Sequence, residues 1–300
     1  MSKLQSWIKA SRLRTLPLSV SGVLMGSLLA LSQHAFNWKI LVLALATTLF
    51  LQVLSNFAND YGDAMSGKDN VNRKGPERMV HSGAISPFEM KRMILTFCLL
   101  SFISGIALIW VANIQVFTVS FGVLLLLGVM AIFAALLYTI GKNPYGYSGW
   151  GDLSVFLFFG LFSVLGTYFL YTQVLSIILL FPAISMGAFS MGVLNLNNMR
   201  DYANDKATGK RTMVVSMGPE KAKYYHIALL VLGVVNPLFY LLFSGSVWYA
   251  YLSLWVVVPV FFHAKRIIEI QDALLFDKEL KKLALIALIF TLVFGLAINL

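Results

Sequence analysis

The sequence predicts an all-α protein that crosses a membrane nine times. Hydrophobic residues make up 59% of its 300 positions and charged residues 12%, whereas a soluble domain is about half apolar and a quarter charged. A helix that spans a bilayer needs roughly 20 apolar residues. We place such helices near residues 15–32, 40–58, 93–112, 116–138, 152–171, 174–196, 226–243, 247–264 and 283–299. They leave no room for a separate soluble domain, so residues 1–300 are expected to form one integral-membrane domain.

The distribution of basic residues predicts the orientation of these helices. If the N-terminus is cytoplasmic, all of the 23 Lys and Arg residues except Lys39 fall on the cytoplasmic side, as the positive-inside rule requires. This topology, together with anionic lipid at the inner leaflet, accounts for the net charge of +10. We therefore expect the protein to be surrounded by membrane lipid. Neither a nucleic acid nor an obligate protein partner is implied.

Two short stretches, one near residue 60 and one near residue 205, resemble each other. Each follows a long apolar run, contains two spaced aspartates and ends in a Gly-Lys pair. Because they follow the second and sixth predicted helices, they indicate two four-helix pseudo-repeats with a ninth helix at the C-terminus. The polar segments from about Asn59 to Lys91 and from Asn195 to Lys223 are long for helix connections. We expect them to form cytoplasmic cap loops over a site.

The aspartates of these stretches predict a metal site. Acidic residues number only 13 in this chain, and four of them form the patterns Asp-x-x-Asp and Asp-x-x-x-Asp beside asparagines. Helical spacing puts the acids and amides of each stretch on one face. Such oxygens suit Mg²⁺, and the chain has no Cys and His set for zinc. The predicted metal ligands are Asn59, Asp63, Asp201 and Asp205. The alternative is that the acids only pair with nearby bases.

Basic residues beside the acids predict a diphosphate site, because a metal can bridge carboxylate and phosphate oxygens. Together with three amides, the predicted diphosphate-binding residues are Asn56, Arg73, Lys74, Arg78, Lys142, Asn197, Asn198, Lys210 and Arg211. The alternative is that the positive-inside topology alone places Lys and Arg in these loops.

These motifs resemble those of the UbiA superfamily of intramembrane aromatic prenyltransferases. The family pattern Asn-Asp-x-x-Asp is similar to Asn59–Asp63, and Tyr-x-x-x-Lys is similar to the stretch from Tyr138 to Lys142. A modified Arg-Pro-x-x-x-Gly stretch covers residues 75–83, and the second acidic motif runs from Asp201 to Asp205. Gly67 stands where many relatives have a third aspartate, so Asp69 is not expected to be a direct ligand. The sequences of residues 14–17, 145–152 and 197–201 resemble those of the family branch that prenylates 1,4-dihydroxy-2-naphthoate.

The resemblance implies an enzyme of the bacterial inner membrane that makes demethylmenaquinol. It implies Mg²⁺ as cofactor, and a polyprenyl diphosphate and 1,4-dihydroxy-2-naphthoate as substrates, with loss of CO2. The catalytic residues that it implies are Asp60, Asp63, Asp201, Asp205, Lys142 and Tyr138. Arg14, Tyr138, Tyr147 and Asp152 are the candidates for binding the aromatic acceptor, although Asp152 suits a helix N-cap equally well. Two alternatives stay open: a sister enzyme using 4-hydroxybenzoate, homogentisate or another aromatic acceptor, and, more remotely, a cation or metabolite transporter.

Overall fold

The computed structural model describes residues 2–69 and 74–300, and all regular secondary structure within these ranges is helical. Nine of the described helices are long and apolar enough to cross a membrane. They are α1 Lys3–Leu31, α2 Trp38–Met65, α3 Pro87–Val111, α4 Val119–Leu137, α5 Gly151–Thr172, α6 Ile177–Ala207, α7 Pro219–Ser244, α8 Trp248–Glu269 and α9 Leu275–Ala297. The predicted fold class and the predicted number of helices are therefore confirmed.

Helices α2 and α6 are longer than the sequence predicted, so the predicted starts of the two polar loops, Asn59 and Asn195, were wrong. Both acidic motifs lie within the last turns of these helices and not in loops. Each helix ends just before a glycine with a positive φ, Gly67 at 68° and Gly209 at 74°. Glycine adopts this left-handed conformation readily and commonly terminates helices. The Gly-Lys pair that follows each motif thus marks the end of a helix, and the connecting segments shrink to residues 66–86 and 208–218.

Helix α1 is interrupted beside the acidic motifs. Its first part, Lys3–Ser11, starts with a capping box made by Ser2 and Gln5. Arg12 then adopts a left-handed conformation with φ of 49°, and the helix resumes as Leu16–Leu31. The break turns the backbone at Arg12, whose side chain lines the cavity described below.

Helices α5 and α6 approach closely through two glycines. A Cβ atom added to Gly160 would lie 2.6 Å from Cα of Gly187, and one added to Gly187 would lie 2.5 Å from the ring of Phe156. Such distances leave no room for any side chain. The middle of α5, Phe156–Gly166, has π-helical geometry, which is frequent at functional sites and here brings several aromatic rings to the wall of the cavity.

Two apolar clusters fix the helices that carry the motifs. The larger packs α6 against α1, α7 and α9 and contains the fully buried Phe189 and Phe290. The smaller joins α2 and α3 to the connecting segment through Phe57, Met79 and Ile85. Because Met79 and Ile85 are completely buried, the segment after the first motif is anchored to the helices. This anchoring determines where Arg78 lies.

Candidate active site

A cavity of about 400 Å³ runs between α1, α2, α4, α5 and α6. Its polar end is lined by Asn56, Asn59, Asp63, Arg78, Tyr138, Tyr147, Asn197, Asn198, Asp201, Asp205 and Lys210. Its other end is apolar and reaches Ala44, Leu108 and Leu170. At 1.5 Å per helical residue, Asp63 and Ala44 are about 28 Å apart along α2. The cavity therefore brings both acidic motifs together and continues as an apolar channel through much of the depth of the protein.

Asp63 is the centre of the first half-site. It is buried, and its carboxylate accepts hydrogen bonds from Arg78 Nη2 at 2.7 Å, Tyr147 Oη at 2.6 Å and Lys210 Nζ at 2.9 Å. Lys210 comes from the second motif and also lies 3.9 Å from Asp205. Two cations and a phenol thus share one carboxylate, and Lys210 joins the two halves of the site electrostatically.

Arg200 organises the second half-site. Its Nε and Nη2 donate to the two oxygens of Asp201 at 2.9 and 2.7 Å, and Nη2 also donates to Asn197 Oδ1 at 2.6 Å. Asp277 Oδ1 of α9 accepts from Arg200 Nη1 at 2.6 Å and from Arg14 Nη1 at 2.5 Å. A continuous network of charges therefore joins α1, α6 and α9 to the second motif.

Sequence reasoning missed the roles of Arg200 and Asp277. The available signals were weak: Arg200 directly precedes a motif aspartate, and Asp277 opens the last apolar helix. Arg12 and Gln52, which line the cavity, were also missed. Gln52 lies one helical turn before Asn56 and donates to its Oδ1 at 3.4 Å, so extending the polar stripe of α2 by one turn would have found it.

The turns that follow the two motifs contact each other. Lys68 Nζ donates to the carbonyl of Thr208, and Asn204 Nδ2 donates to the carbonyl of Lys68 at 3.1 Å. The backbone N–H of Arg211 also donates to the carbonyl of Tyr147, in the segment after α4, at 2.8 Å. The first two bonds hold the ends of α2 and α6 together, and the third ties the segment after α6 to the segment after α4.

Asp60 and Asp69 lie outside the cavity lining. Asp60 is 1% exposed, and its carboxylate accepts from the backbone N–H groups of Met79 and Val80 at 2.9 and 3.0 Å. Asp69 Oδ2 lies 3.5 Å from Arg78 Nε. Both acids therefore hold the segment that presents Arg78. The catalytic role of Asp60 stays a prediction, since its carboxylate reaches the site only through this segment.

Two tyrosines predicted to bind the acceptor, Tyr138 and Tyr147, line the cavity beside Tyr145. Burial, and after it the charge of Asp152, raises the pKa of Tyr138. Burial, followed by the charge of Asp63, likewise raises the pKa of Tyr147. Both phenols therefore stay protonated at neutral pH, and Tyr147 donates its proton to the hydrogen bond with Asp63.

Other predicted site residues lie away from the cavity. Arg14 binds Asp277, and Asp152 accepts a hydrogen bond from Tyr225 Oη at 3.1 Å. The remaining three that the structure describes, Lys74, Lys142 and Arg211, are exposed and are not part of the lining. Arg73 lies outside the described residues. The predicted roles of these residues stay predictions.

The residues at the polar end of the cavity fit a divalent metal as two half-sites. Within the described ranges, no three His, Cys, Asp or Glu residues converge tightly enough to hold a metal by themselves. Mg²⁺, however, usually takes one or two carboxylates and completes its shell with water and phosphate oxygens. Asp63 on one side, and Asp201 and Asp205 on the other, offer such carboxylates with Asn59 and Asn198 beside them. This donor set is compatible with Mg²⁺ bound together with a phosphate ligand.

Comparison with known proteins identifies the family. The sequence model of the UbiA prenyltransferase family matches residues 19–286, so the chain belongs to this family of prenyl-transferring enzymes, as its motifs predicted. The 1,4-dihydroxy-2-naphthoate octaprenyltransferases of Haemophilus influenzae and Escherichia coli are both 38% identical to it. Each comparison covers 99% of this chain and 96% of the relative. The corresponding protein of Mycobacterium tuberculosis is 36% identical, over 83% of this chain and 81% of the relative.

Solved structures agree on the fold. A UbiA homologue from Aeropyrum pernix superposes with a TM-score of 0.67 at 16% identity, over 99% of this chain and 98% of the homologue. A UbiA homologue from Archaeoglobus fulgidus, bound to DMAPP and Mg²⁺, gives a TM-score of 0.65 at 17% identity, over 100% of this chain and 99% of the homologue. At this level of identity the likeness concerns the arrangement of the helices alone.

Proposed function

We propose that this enzyme transfers a polyprenyl group from an allylic diphosphate to 1,4-dihydroxy-2-naphthoate, with release of CO2, to give demethylmenaquinol. The observation that carries the proposal is the single cavity that unites two acidic motifs, Arg78 and Lys210 at one end with an apolar channel at the other. A polyprenyl diphosphate has the matching distribution of charge and apolar surface. The choice of acceptor rests on the relatives, which are octaprenyltransferases for this naphthoate.

Mg²⁺ is the proposed cofactor, supported by the donor chemistry of the half-sites and by the Mg²⁺ in the A. fulgidus homologue. Asp63, Asp201 and Asp205 would hold it, with Asn59 and Asn198 beside them. When bound, the metal neutralises the negative charge that develops on the leaving diphosphate.

Arg78 and Lys210 are proposed to bind diphosphate oxygens. Both basic side chains contact Asp63, so an incoming diphosphate can replace Asp63 as their partner without any further basic side chain having to enter the buried site. Charge-assisted hydrogen bonds of this kind contribute about 1.5–3 kcal/mol each. Tyr147, which donates to the same carboxylate, would hold Asp63 in place during the exchange.

The aromatic acceptor is proposed to lie between the diphosphate and the three cavity tyrosines. The hydroxyl of Tyr138 can donate to its oxygens, whereas those of Tyr145 and Tyr147 already donate to the carbonyl of Ala134 and to Asp63. The bond between the prenyl carbon and the diphosphate oxygen breaks, and the diphosphate keeps the electron pair. The ring carbon that bears the carboxylate supplies the pair for the new carbon–carbon bond, and CO2 leaves its own pair on the ring. Phe158, Phe159 and Phe162 line the adjacent wall, where they exclude water and where aromatic faces attract positive charge.

An acceptor panel tests this proposal. Purified protein is incubated with Mg²⁺ and octaprenyl diphosphate, and with 1,4-dihydroxy-2-naphthoate, 4-hydroxybenzoate or homogentisate. We expect the naphthoate to be prenylated with the highest kcat/KM. Preference for another acceptor would keep the assignment as a prenyltransferase and would change only the assigned aromatic substrate. Cation flux in sealed vesicles without any prenyl transfer would instead favour the transporter alternative.

The proposal includes the placement of the enzyme. Residues 1–300 act as one domain in the bacterial inner membrane, with the N-terminus and the polar end of the cavity facing the cytoplasm. The distribution of Lys and Arg supports this orientation. Labelling of single cysteines introduced at exposed positions in a Cys98→Ala background, such as Lys142→Cys on the cavity side and Lys39→Cys on the opposite side, tests it in intact cells. Only the second should react with an impermeant reagent.

A further inference from the structure

Two histidines lie against each other in the interior of the protein, outside the lining of the active-site cavity. His226 of α7 is fully buried, and His263 of α8 is 5% exposed. Their Nε2 atoms are 3.1 Å apart. His263 Nδ1 lies 3.0 Å from Glu279 Oε2 of α9, and Glu279 Oε1 accepts from Lys282 Nζ at 2.7 Å. We call His226 and His263 the histidine pair.

The hydrogen bonds of the histidine pair define two protonation states. Nδ1 of His263 faces a carboxylate and therefore carries a proton. The contact between the two Nε2 atoms needs one proton, because two would clash and none would leave two lone pairs facing each other. If His226 donates, the pair is uncharged and His226 Nδ1 is an acceptor. If His263 donates, it is an imidazolium beside Glu279, and His226 Nδ1 carries a proton. The two states differ by one bound proton.

His226 Nδ1 faces α6, where the extra proton changes the bonding. Among the described residues, neither this buried nitrogen nor the buried Oδ1 of Asn195 has a hydrogen-bond partner. A Cβ atom added to Gly192 of α6 would lie 3.8 Å from His226 Nδ1. One turn further along α6, Asn195 Nδ2 donates to the carbonyl of Ala222 at 3.0 Å, and Ala222 lies one turn before His226. The two atoms are therefore on facing turns. Both are acceptors in the uncharged state, whereas the proton-bound state supplies a donor for Asn195, directly or through a water molecule.

The charged groups around the histidine pair oppose and favour proton uptake in turn. They are Glu279 and Lys282 of α9, Glu220 and Lys223 of α7, and Lys265 and Arg266 of α8, whereas residues 185–199 of α6 carry no charge. Glu279 favours uptake. Lys282, Lys265 and Arg266 oppose it but are exposed to solvent, and the buried Lys223 is paired with Glu220 at 3.4 Å. Histidine ordinarily changes its charge between pH 5 and 8, so the pair is suited to binding a proton in that range.

The histidine pair contacts both helices that carry the charge network of the second half-site. Glu279 comes two residues after Asp277, which binds Arg200. At about 100° per residue, these two acids lie about 200° apart around α9, so this turn is held by His263 on one side and by Arg200 on the other. On α6, Asn195 lies less than two turns before Arg200. A change of bonding at the histidine pair therefore reaches the turns that position Arg200 from two directions.

We propose that the histidine pair binds a proton and thereby positions the second half-site for the prenyl diphosphate. In the proton-bound state, His263 pairs as a cation with Glu279 and His226 donates to Asn195, so one chain of hydrogen bonds joins α6, α7, α8 and α9. Loss of the proton removes this charge and this donor, and it loosens the turns that hold Arg200. The two histidines and Glu279 are positioning residues that do not touch the substrate. The effect on the donor rests on the proposed function, whereas the shared proton does not.

Proton uptake is measured directly by nuclear magnetic resonance on the purified full-length protein with ¹⁵N-labelled histidine. The chain has 4 histidines, and the other two, His34 and His81, are exposed and serve as references near the ordinary pKa of about 6.5. We expect the signals of the histidine pair to change together, with His226 Nδ1 gaining its proton in the same step in which His263 becomes an imidazolium. Glu279→Gln removes the balancing charge and should move this step to lower pH by about one unit or more. Two histidines that titrate independently, or a pair that keeps one protonation state throughout, would overturn the proposal.

Binding of geranyl diphosphate with Mg²⁺ tests the coupling to the second half-site. Its Kd is measured by calorimetry about one pH unit below and about one above the step, for the unsubstituted enzyme, His226→Gln and His263→Asn. The ionisation of the ligand cancels in the ratio of variant to unsubstituted Kd. We expect this ratio to be at least about fivefold below the step, the lower end of usual coupling between sites, and to approach unity above it. The matched control is His34→Gln, because His34 is exposed; its ratio should stay within about twofold at both pH values.

The outcomes separate this proposal from the proposed function. A merely structural role of the histidine pair would give a Kd ratio that does not change with pH, and this result overturns the proposal, as does unaltered binding by both variants. If the variants do not fold, the titration of the unsubstituted protein still decides whether the pair shares one proton. Failure of the unsubstituted enzyme to bind geranyl diphosphate with Mg²⁺ would overturn the proposed function instead.

Discussion

Neutralising Asp277 should weaken the active site from outside its cavity. One oxygen of this carboxylate binds two guanidinium groups, those of Arg14 and Arg200. Arg200 in turn donates hydrogen bonds to Asp201 and Asn197. Asp277→Asn keeps the shape of the side chain and removes the charge that balances Arg200, whose side chain is 1% exposed. We therefore expect Arg200 to shift and to take Asp201 out of position.

The size of the effect follows from the bonds that change. Breaking a buried ion pair costs about 3–5 kcal/mol when one charge is left uncompensated. Arg200 retains Asp201, so we expect a smaller loss of about 1.5–3 kcal/mol, the value of a charge-assisted hydrogen bond. This corresponds to a roughly ten- to hundredfold lower kcat/KM for the prenyl diphosphate at limiting Mg²⁺.

Donor kinetics at several Mg²⁺ concentrations distinguish positioning from general destabilisation. If Asp277 acts through Asp201, the loss should shrink as Mg²⁺ rises, and Asp277→Glu should recover part of the activity. Asp272→Asn is the matched control, because Asp272 is exposed and its carboxylate accepts a hydrogen bond from the nearby backbone N–H of Leu274. Asp277→Asn enzyme with unaltered donor kinetics, or with a loss that Mg²⁺ does not change, would refute this reasoning.

Three further predictions concern groups at the polar end of the cavity. Asp63→Ala should abolish prenyl transfer in folded protein while Asp69→Ala is much milder, as measured by turnover at saturating Mg²⁺; near-normal turnover of Asp63→Ala would exclude its metal role. Arg78→Gln should weaken binding of the prenyl diphosphate about ten- to a hundredfold and the acceptor less, as should Lys142→Gln if that exposed residue reaches the diphosphate; equal loss for both substrates would indicate a structural role. The pKa of Tyr147 is raised, so difference titrations against Tyr147→Phe should show ionisation above the ordinary pKa of about 10. The hydrogen bond from Tyr147 to Asp63 should then stabilise the protein fully below about pH 10. This stabilisation should be lost only as the pH rises through the folded-state pKa. Ionisation at or below pH 10 would contradict this assignment.

The sequence was sufficient to predict the helices and the meeting of the two acidic motifs, because apolar length and helical spacing are local properties. It did not separate Asp60 from its neighbours. At about 100° per residue, Asn59 and Asp63 lie some 40° apart on α2, and Asp60 lies a further 60° round on the far side of Asp63. That rotation turns Asp60 from the cavity toward the N–H groups of Met79 and Val80. The rotation of a helix about its axis depends on packing, which no local pattern records.

The charge network of the second half-site could not be predicted for a related reason. Arg200 and Asp277 are 77 positions apart, and their contact depends on how α9 packs against α6. For loop residues, sequence reasoning instead predicted site residues that the structure does not bring to the cavity. Lys142 has the residue type and the spacing of a diphosphate ligand, yet its side chain is exposed, because the direction of a side chain in a connecting segment is not determined by sequence spacing.

The fate of the acceptor carboxylate tests the central claim most directly. Purified enzyme is supplied with Mg²⁺, octaprenyl diphosphate and 1,4-dihydroxy-2-naphthoate that carries an isotopic label in its carboxyl carbon. The account predicts that labelled CO2 and unlabelled prenylated naphthoquinol form in equal amounts, and that Asp63→Ala enzyme forms neither. Label retained in the lipid product, or CO2 released without prenylation, would contradict it.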